Sequence, residues 1–197
     1  MPDSLFSKID FGVYMKINLG CGHFPKEGYL NVDNAKNPGV DLSWDLENIP
    51  YPFDSNSANE IYAEHVLEHL NSPIDVVKEC HRILKSNGRL IIKVPHFTRG
   101  FTCADHKRGF DVTFVYEFLP VYKEYSGISF SVEKARLRWF ADRPLKREVI
   151  SRPVFILVSS IGKIIDFFAN LSPFLCSRIW AYWVGGFDEV EFIFKKL

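Results

Sequence analysis

The sequence predicts an α/β fold, with one mostly parallel sheet and helices packed against it. Three observations carry this reading. An apolar strand, about Tyr14–Leu19, runs straight into Gly20-Cys21-Gly22. A second strand, about Tyr29–Val32, ends on an acid, Asp33. The run Leu90–Val94 is almost continuously apolar, as suits a central parallel strand covered on both faces. Glycines let backbone approach a ligand closely, and a carboxylate accepts both hydroxyls of a ribose. The first two observations therefore describe a nucleoside pocket at the carboxyl edge of a parallel sheet.

The first connection is short. A dinucleotide fingerprint needs a third glycine, three residues after the second, opening a helix whose N-terminus holds pyrophosphate. Pro25 stands at that position, and the gap to Asp33 has no room for a full helix plus a strand. The helix after the first strand is thus shortened or missing. A ligand with ribose but no phosphate fits better than NAD.

A short third strand lies near Val40–Trp44, before Asp45, and a fourth near Glu60–Ala63. Asn71-Ser72-Pro73 offers a helix start, with a capping side chain and proline at the first helical position. Ile74, Val77 and Leu84 keep helical spacing, and Asn87-Gly88 ends the helix before Leu90–Val94. Phe130–Phe140 reads as strand six and Glu189–Phe194 as the last strand, reached through Gly185-Gly186. Between them residues 144–186 look mainly helical. The whole chain, 1–197, reads as one domain with two insertions, 96–127 and 144–186.

Composition bounds the rest. The 197 residues suit one α/β domain with a sizeable core, at 47% hydrophobic and 15% aromatic content. A formal net charge of zero gives no basic surface for nucleic acid. Cysteines at 21, 80, 103 and 176 have no paired spacing, so a reduced, cytoplasmic setting is expected. The start, Met1-Pro2-Asp3-Ser4-Leu5-Phe6-Ser7-Lys8, lacks an apolar signal core.

Three further blocks give a specific resemblance. They are Asp45-Leu46-Glu47-Asn48-Ile49-Pro50-Tyr51-Pro52-Phe53, then Glu60-Ile61-Tyr62-Ala63-Glu64-His65-Val66-Leu67-Glu68-His69-Leu70, then Leu84-Lys85-Ser86-Asn87-Gly88-Arg89-Leu90-Ile91-Ile92-Lys93-Val94-Pro95. With the glycine loop, their order and spacing resemble the class I methyltransferases that use S-adenosylmethionine, in the branch often called type 11. The resemblance covers roughly residues 15–96, with a weaker match at the C-terminus. It implies a Rossmann-like three-layer sandwich with an antiparallel last strand, bound S-adenosylmethionine and methyl transfer. It places Gly20, Cys21, Gly22 and Asp33 at the cofactor, Asp45 and Leu46 near its adenine, and Glu64 and His65 at its methionine end. The same family normally joins strands six and seven by a tight hairpin, from which residues 144–186 depart.

Other motifs compete with these roles. Cys21 has no charged partner beside it in sequence and reads as a packing residue. Asp45 has an alternative as a loop acid capping a turn. His65-Val66-Leu67-Glu68-His69 spells the inverted zinc-protease motif H-x-x-E-H. That motif needs one continuous helix, whereas His65 falls at the end of a strand, so no metal is expected and His69 reads as a packed histidine. His96 and His106 lie past strand five, at the edge where this fold does chemistry, and are the candidate general bases for a hydroxyl acceptor. Phe97, Phe101, Phe110, Phe114 and Tyr116 are expected to shield the acceptor from water.

The expected function is methyl transfer to a small-molecule or glycan-like acceptor. The alternatives are an S-adenosylmethionine-binding module without activity of its own, and a metal-dependent hydrolase built on His65, Glu68 and His69. The apolar stretch 154–183 suggests a helical cap or homodimer face, or a surface for a membrane or a lipid-linked substrate.

Overall fold

The computed structural model describes residues 15–141 and 144–197. The expected N-terminal features, Met1–Lys8 and Tyr14, lie outside them. The strands are β1 (Lys16–Leu19), β2 (Leu30–Asp33), β3 (Leu42–Ser43), β4 (Ala58–Glu64), β5 (Leu84–Pro95), β6 (Phe130–Arg138) and β7 (Glu189–Lys196). They form one sheet in the order β3-β2-β1-β4-β5-β7-β6. The pairs from β3 to β5 are parallel, and β7 runs antiparallel to both its neighbours. This is the Rossmann-like α/β fold expected from the resemblance. As the short gap predicted, no helix forms between β1 and β2.

Alternation along the strands gives the sheet two different faces. Ile17, Leu19, Val32, Ile61, Leu90, Ile92, Val94, Phe192 and Phe194 are buried together on one. Helix α1 (Pro73–Ile83) buries Val76, Val77, Cys80 and Ile83 there. A 3-10 helix, Val112–Phe118, joins it, with Phe118 edge-on to Phe194 and Phe114 beside Phe192. The opposite face carries Lys16 paired with Glu60, Lys93 with Glu64, and Lys134 with Glu191. Lys26, from the β1–β2 loop, lies 3.9 Å over the Tyr62 ring. In the apolar-looking run Leu90–Val94, Lys93 therefore serves this charged face.

Two boundaries differ from the sequence reading. Helix α1 begins at Pro73 as expected, but Ser72 makes no side-chain cap, and Asn71 binds Glu47 and Lys107 instead. Asn87-Gly88 does not end the helix. The helix stops at Ile83, Leu84 is already extended, and β5 starts there. Asn87 takes a left-handed φ of 65°, which asparagine tolerates, and forms an irregularity where β4 and β5 shift register.

Residues 144–186 are mainly helical, as read: α3 (Pro144–Val149), α4 (Arg152–Ala169), α5 (Pro173–Arg178) and a 3-10 turn, Trp180–Tyr182. A short helix, α2 (Lys123–Ser126), precedes β6. Helix α4 closes the free edge of β6 as a strand would. The Asn170 side chain, just past its end, donates to Leu137 O and accepts from Leu137 N, both at 2.9 Å. Asp166 accepts from Trp139 N at 2.6 Å. Side chains thus satisfy edge backbone at the end of β6, where the sheet would otherwise offer an open ladder.

Candidate active site

The parallel strands β1, β2, β4 and β5 all deliver their carboxyl ends to one edge, and most of the expected site residues meet there. Cys21 N donates to Val32 O at 3.1 Å, tying the glycine loop to β2. Gly22 N then donates to Asp33 Oδ2 at 2.8 Å, while Asp33 Oδ1 accepts from Ala35 N at 2.9 Å. Each carboxylate oxygen thus spends one lone pair on backbone and has a second with which it can accept a hydroxyl. Cys21 is buried, and burial, followed by the Asp33 charge, holds its thiol above the ordinary range. It is a packing residue, as read.

Gly20 and Gly22 both have left-handed φ, 62° and 52°. The sequence singled out Gly22, and a Cβ there meets nothing within 4 Å, so a side chain would project into open space beside Asp33. At Gly20 a Cβ would sit 2.3 Å from Val66 Cγ2, a contact invisible in the sequence. Gly20 is therefore required for the β4 loop to close on the glycine loop. Gly28 also has positive φ, with open space around it. Gly22→Val should abolish measurable cofactor binding in a calorimetric titration, whereas Gly28→Ala should cost only backbone strain, about 1–2 kcal/mol of stability. Equal losses of affinity in the two folded variants would remove Gly22 from the site.

β3 aligns Ser43 with Asp33, bringing Asp45 and Leu46 to the same edge. Asp45 caps a turn, Oδ1 accepting from Glu47 N at 2.9 Å, and remains exposed. Leu46 is buried, its carbonyl held by the Tyr51 hydroxyl at 2.8 Å. Glu64 ends β4 beside the glycine loop. Burial alone would raise its carboxyl, but the Tyr62 hydroxyl and the Lys93 and His65 charges hold it below the ordinary value. Its side chain lines a cavity of about 410 Å³ on the charged face, shared with Lys93, Arg138, Glu189 and residues of α4.

His65 adopts a left-handed φ of 54°, rare for a residue with a Cβ and a mark of functional sites. Its Nδ1 lies 3.0 Å from Glu68 and its Nε2 3.0 Å from Glu189, clamping β4 to β7. Only Leu67–His69 is helical, as a 3-10 turn. His65 and His69 are thus not stacked on one helix, which agrees with setting the inverted zinc motif aside.

The two histidines past β5 separate sharply. His96 is 0% exposed. Its Nδ1 accepts from Thr98 Oγ1 at 2.7 Å, and its Nε2–H donates to Ser177 Oγ at 2.8 Å; the tautomer follows from Thr98 N also pointing at Nδ1. Ser177 passes the chain on to Asp111. Burial, opposed by Asp111 and aided by Arg99, pushes the imidazole down to about 4. His96 is therefore a neutral, fully bonded lock between β5, α5 and the 111 loop, and the expectation that it takes an acceptor proton is corrected. His106 is half-buried, with Nδ1 2.5 Å from Gly100 O and Nε2 turned toward Glu68 Oε1 at 3.8 Å. It stays beside the turn that follows β4, where Lys107 N donates to Glu68 O at 2.8 Å. The aromatic shield is also corrected in part: Phe110 and Phe114 pack edge-on into the sheet core, and Phe101 and Tyr116 are exposed.

Comparison with known proteins agrees with the fold. Residues 25–92 match a family model described as a methyltransferase domain, a span that takes in Asp33, Asp45, Leu46, Glu64 and His65. The fold is similar to that of a SAM-dependent methyltransferase from Archaeoglobus fulgidus, at 16% identity over 94% of this chain and 87% of that one, with a TM-score of 0.57. It is also similar to an S-adenosylmethionine-dependent methyltransferase from Mesorhizobium loti, at 12% identity over 98% and 95%, TM-score 0.54. A phosphoethanolamine N-methyltransferase from Haemonchus contortus, solved with S-adenosyl-L-methionine, matches at 14% identity over 93% of this chain and 48% of that one, TM-score 0.51. No curated protein sequence matches the chain.

Fold and edge together define an α/β domain whose glycine loop and Asp33 meet at its carboxyl edge. The family-model match covers about a third of the chain, and the whole chain has the fold of the S-adenosylmethionine-dependent methyltransferases it resembles.

Proposed function

We propose that the chain methylates a small-molecule or glycan-like acceptor at the edge formed by Gly20–Gly22, Asp33, Asp45, Leu46, Glu64 and His65. The observation that carries the cofactor half is Asp33, which closes the glycine loop through Gly22 N and keeps two lone pairs for a ribose. Bound S-adenosylmethionine supplies an electrophilic methyl group on a sulfonium with a neutral leaving group. The protein's tasks are to hold that group, orient the acceptor and exclude water. Orientation alone contributes as much as about 7–11 kcal/mol in the best-aligned systems.

A neutral amine acceptor needs no strong base. A hydroxyl acceptor must lose a proton, and we assign its activation to the side of the site that holds His106, in place of the buried His96. A cavity of about 650 Å³ between the start of α1 and residues 108–117, walled in part by Asn71, Arg108 and Asp111, gives an acceptor space beside that region. Labelled S-adenosylmethionine offered with sugars, lipid-linked glycans and small metabolites tests the reading. Transfer to one class supports it; cofactor binding without transfer across the panel would favour a binding module.

We propose further that the outer face of α4 and α5 rests on a lipid surface in a cytoplasmic setting. Ile156, Leu157, Ile161, Ile164, Phe167 and Phe168 are all exposed on one arc of α4, and Trp183 beyond α5 is 83% exposed. Arg147, Arg152, Lys163 and Arg178 are exposed beside this apolar strip, and among the described residues of 144–186 the one exposed acid is Glu148. An apolar arc with exposed aromatics and flanking cations is the pattern of an interfacial helix. No described helix is long and apolar enough to cross a membrane. The cytoplasmic setting rests on the four free cysteines. The chain should co-sediment with vesicles of phosphatidylcholine and phosphatidylserine, and Phe167→Glu/Ile164→Glu should abolish this. A concentration-dependent dimer lost in the same variant, without vesicle binding, would assign the face to a second copy.

A further inference from the structure

Glu68 sits at the centre of an arrangement that methyl transfer as described does not use. The residue is 0% exposed, and its Oε2 has no hydrogen-bond partner among the described residues. A buried carboxylate oxygen without a partner costs free energy unless a cation or donor meets it. Its other oxygen faces His65 Nδ1 at 3.0 Å and His106 Nε2 at 3.8 Å. His69 joins from the same 3-10 turn, its ring edge-on to His106 with centroids 4.8 Å apart. One ligand atom from each of Glu68, His69 and His106 lies within 4.8 Å of the other two.

The outer contacts of the two histidines are the stronger sign. His106 turns Nδ1 to the carbonyl of Gly100 at 2.5 Å, and His69 turns Nδ1 to Asp105 Oδ2 at 3.1 Å. A backbone carbonyl on one ring and a carboxylate on the other fix the Nδ1–H tautomer and leave each Nε2 lone pair free. That is the support metal-bound histidines receive from their surroundings. Lys107 N, bonded to Glu68 O at 2.8 Å, holds the His106 segment against the turn.

We propose that Glu68, His69 and His106 form a site for one divalent first-row transition ion. Two imidazoles and one carboxylate make a neutral-to-anionic nitrogen–oxygen set that leaves a coordination position open, as in catalytic zinc sites and two-histidine-one-carboxylate iron sites. Ligand bonds of about 2.0–2.1 Å put tetrahedral ligand atoms about 3.3 Å apart, so the observed spacing closes with small side-chain rotations. The set differs from the sequence motif: His65 is engaged with Glu68 and Glu189, and His106, which the motif does not contain, takes its place. The use made of the ion rests on the methyl-transfer reading; its binding does not. An acceptor hydroxyl on the open position becomes more acidic, its O–H bond yielding the proton to solvent water and leaving the electron pair on oxygen for transfer.

Calorimetric titration of the chelator-treated chain with Zn²⁺, and separately with Mn²⁺, tests this, with melting curves to confirm folding. One equivalent of Zn²⁺ should bind at micromolar or lower concentration. His106→Asn and His69→Gln should each weaken it at least tenfold, and Glu68→Gln more. S-adenosylmethionine affinity, titrated in parallel, should stay within threefold in the histidine variants. Absence of saturable binding by either ion, or Zn²⁺ binding indifferent to both histidine variants, would overturn the site. Should Glu68→Gln fail to fold, the two histidine variants decide the matter alone. Zn²⁺ binding without S-adenosylmethionine binding would keep the ion site and remove the methyltransferase reading instead.

Discussion

His96→Ala should destabilise the fold by roughly 3–5 kcal/mol, a large share of the about 5–15 kcal/mol typical of a domain. The side chain joins β5, α5 and the 111 loop through Thr98 and Ser177, and its removal leaves the buried Ser177 hydroxyl and the half-buried Thr98 hydroxyl each short of a partner around a new cavity. A urea midpoint shifted at constant slope is the readout. A loss under about 1 kcal/mol would mean that the lock is not real. The pH dependence follows from the same burial. The folded state holds this imidazole neutral down to about 4, against 6.5 for the ordinary group. Between those values the unfolded chain binds the extra proton, so stability is complete above about pH 6.5 and falls as pH drops toward 4. The loss from this group is about 3 kcal/mol. His96→Asn should flatten that window.

His106→Ala should lower methyl transfer by roughly a hundredfold or more while leaving S-adenosylmethionine affinity nearly intact. The reason is position. Its Nδ1 is fixed by Gly100 and its Nε2 faces Glu68, and it makes no hydrogen bond to Asp33 or the glycine loop among the described residues. Turnover with the acceptor found by screening, measured at saturating cofactor, separates the two effects. Full turnover in the variant would assign the reaction to positioning alone, on an acceptor that needs no activation.

The proposed cofactor edge was legible in the sequence because its parts are local. A strand into Gly20-Cys21-Gly22, an acid closing the next strand, and Pro25 where a phosphate helix would begin are short-range signals, and the structure joins them through Gly22 N and Asp33. The proposed acceptor side was not legible, because the partners of its residues are distant along the chain. Position past β5 marked both His96 and His106. What separates them is Ser177, 81 residues after His96, and Glu68 on the far side of β5. The same holds for Gly20, whose need for no side chain comes from Val66. Asn87-Gly88 shows the opposite failure. Its turn chemistry is real, and Asn87 does take a left-handed φ, but pairing with β4 had already claimed the segment for the sheet.

Asp33 and the glycine loop are proposed to hold S-adenosylmethionine. Calorimetric titration of the chain and of Asp33→Ala with S-adenosylmethionine, its demethylated product and NAD tests it most directly. The wild-type chain should bind the first two and not NAD. Asp33→Ala should weaken binding by about 1.5–3 kcal/mol, the range for hydrogen bonds to a charged group, with the fold retained. Micromolar NAD binding with no response to S-adenosylmethionine, or unchanged affinity in Asp33→Ala, would contradict it.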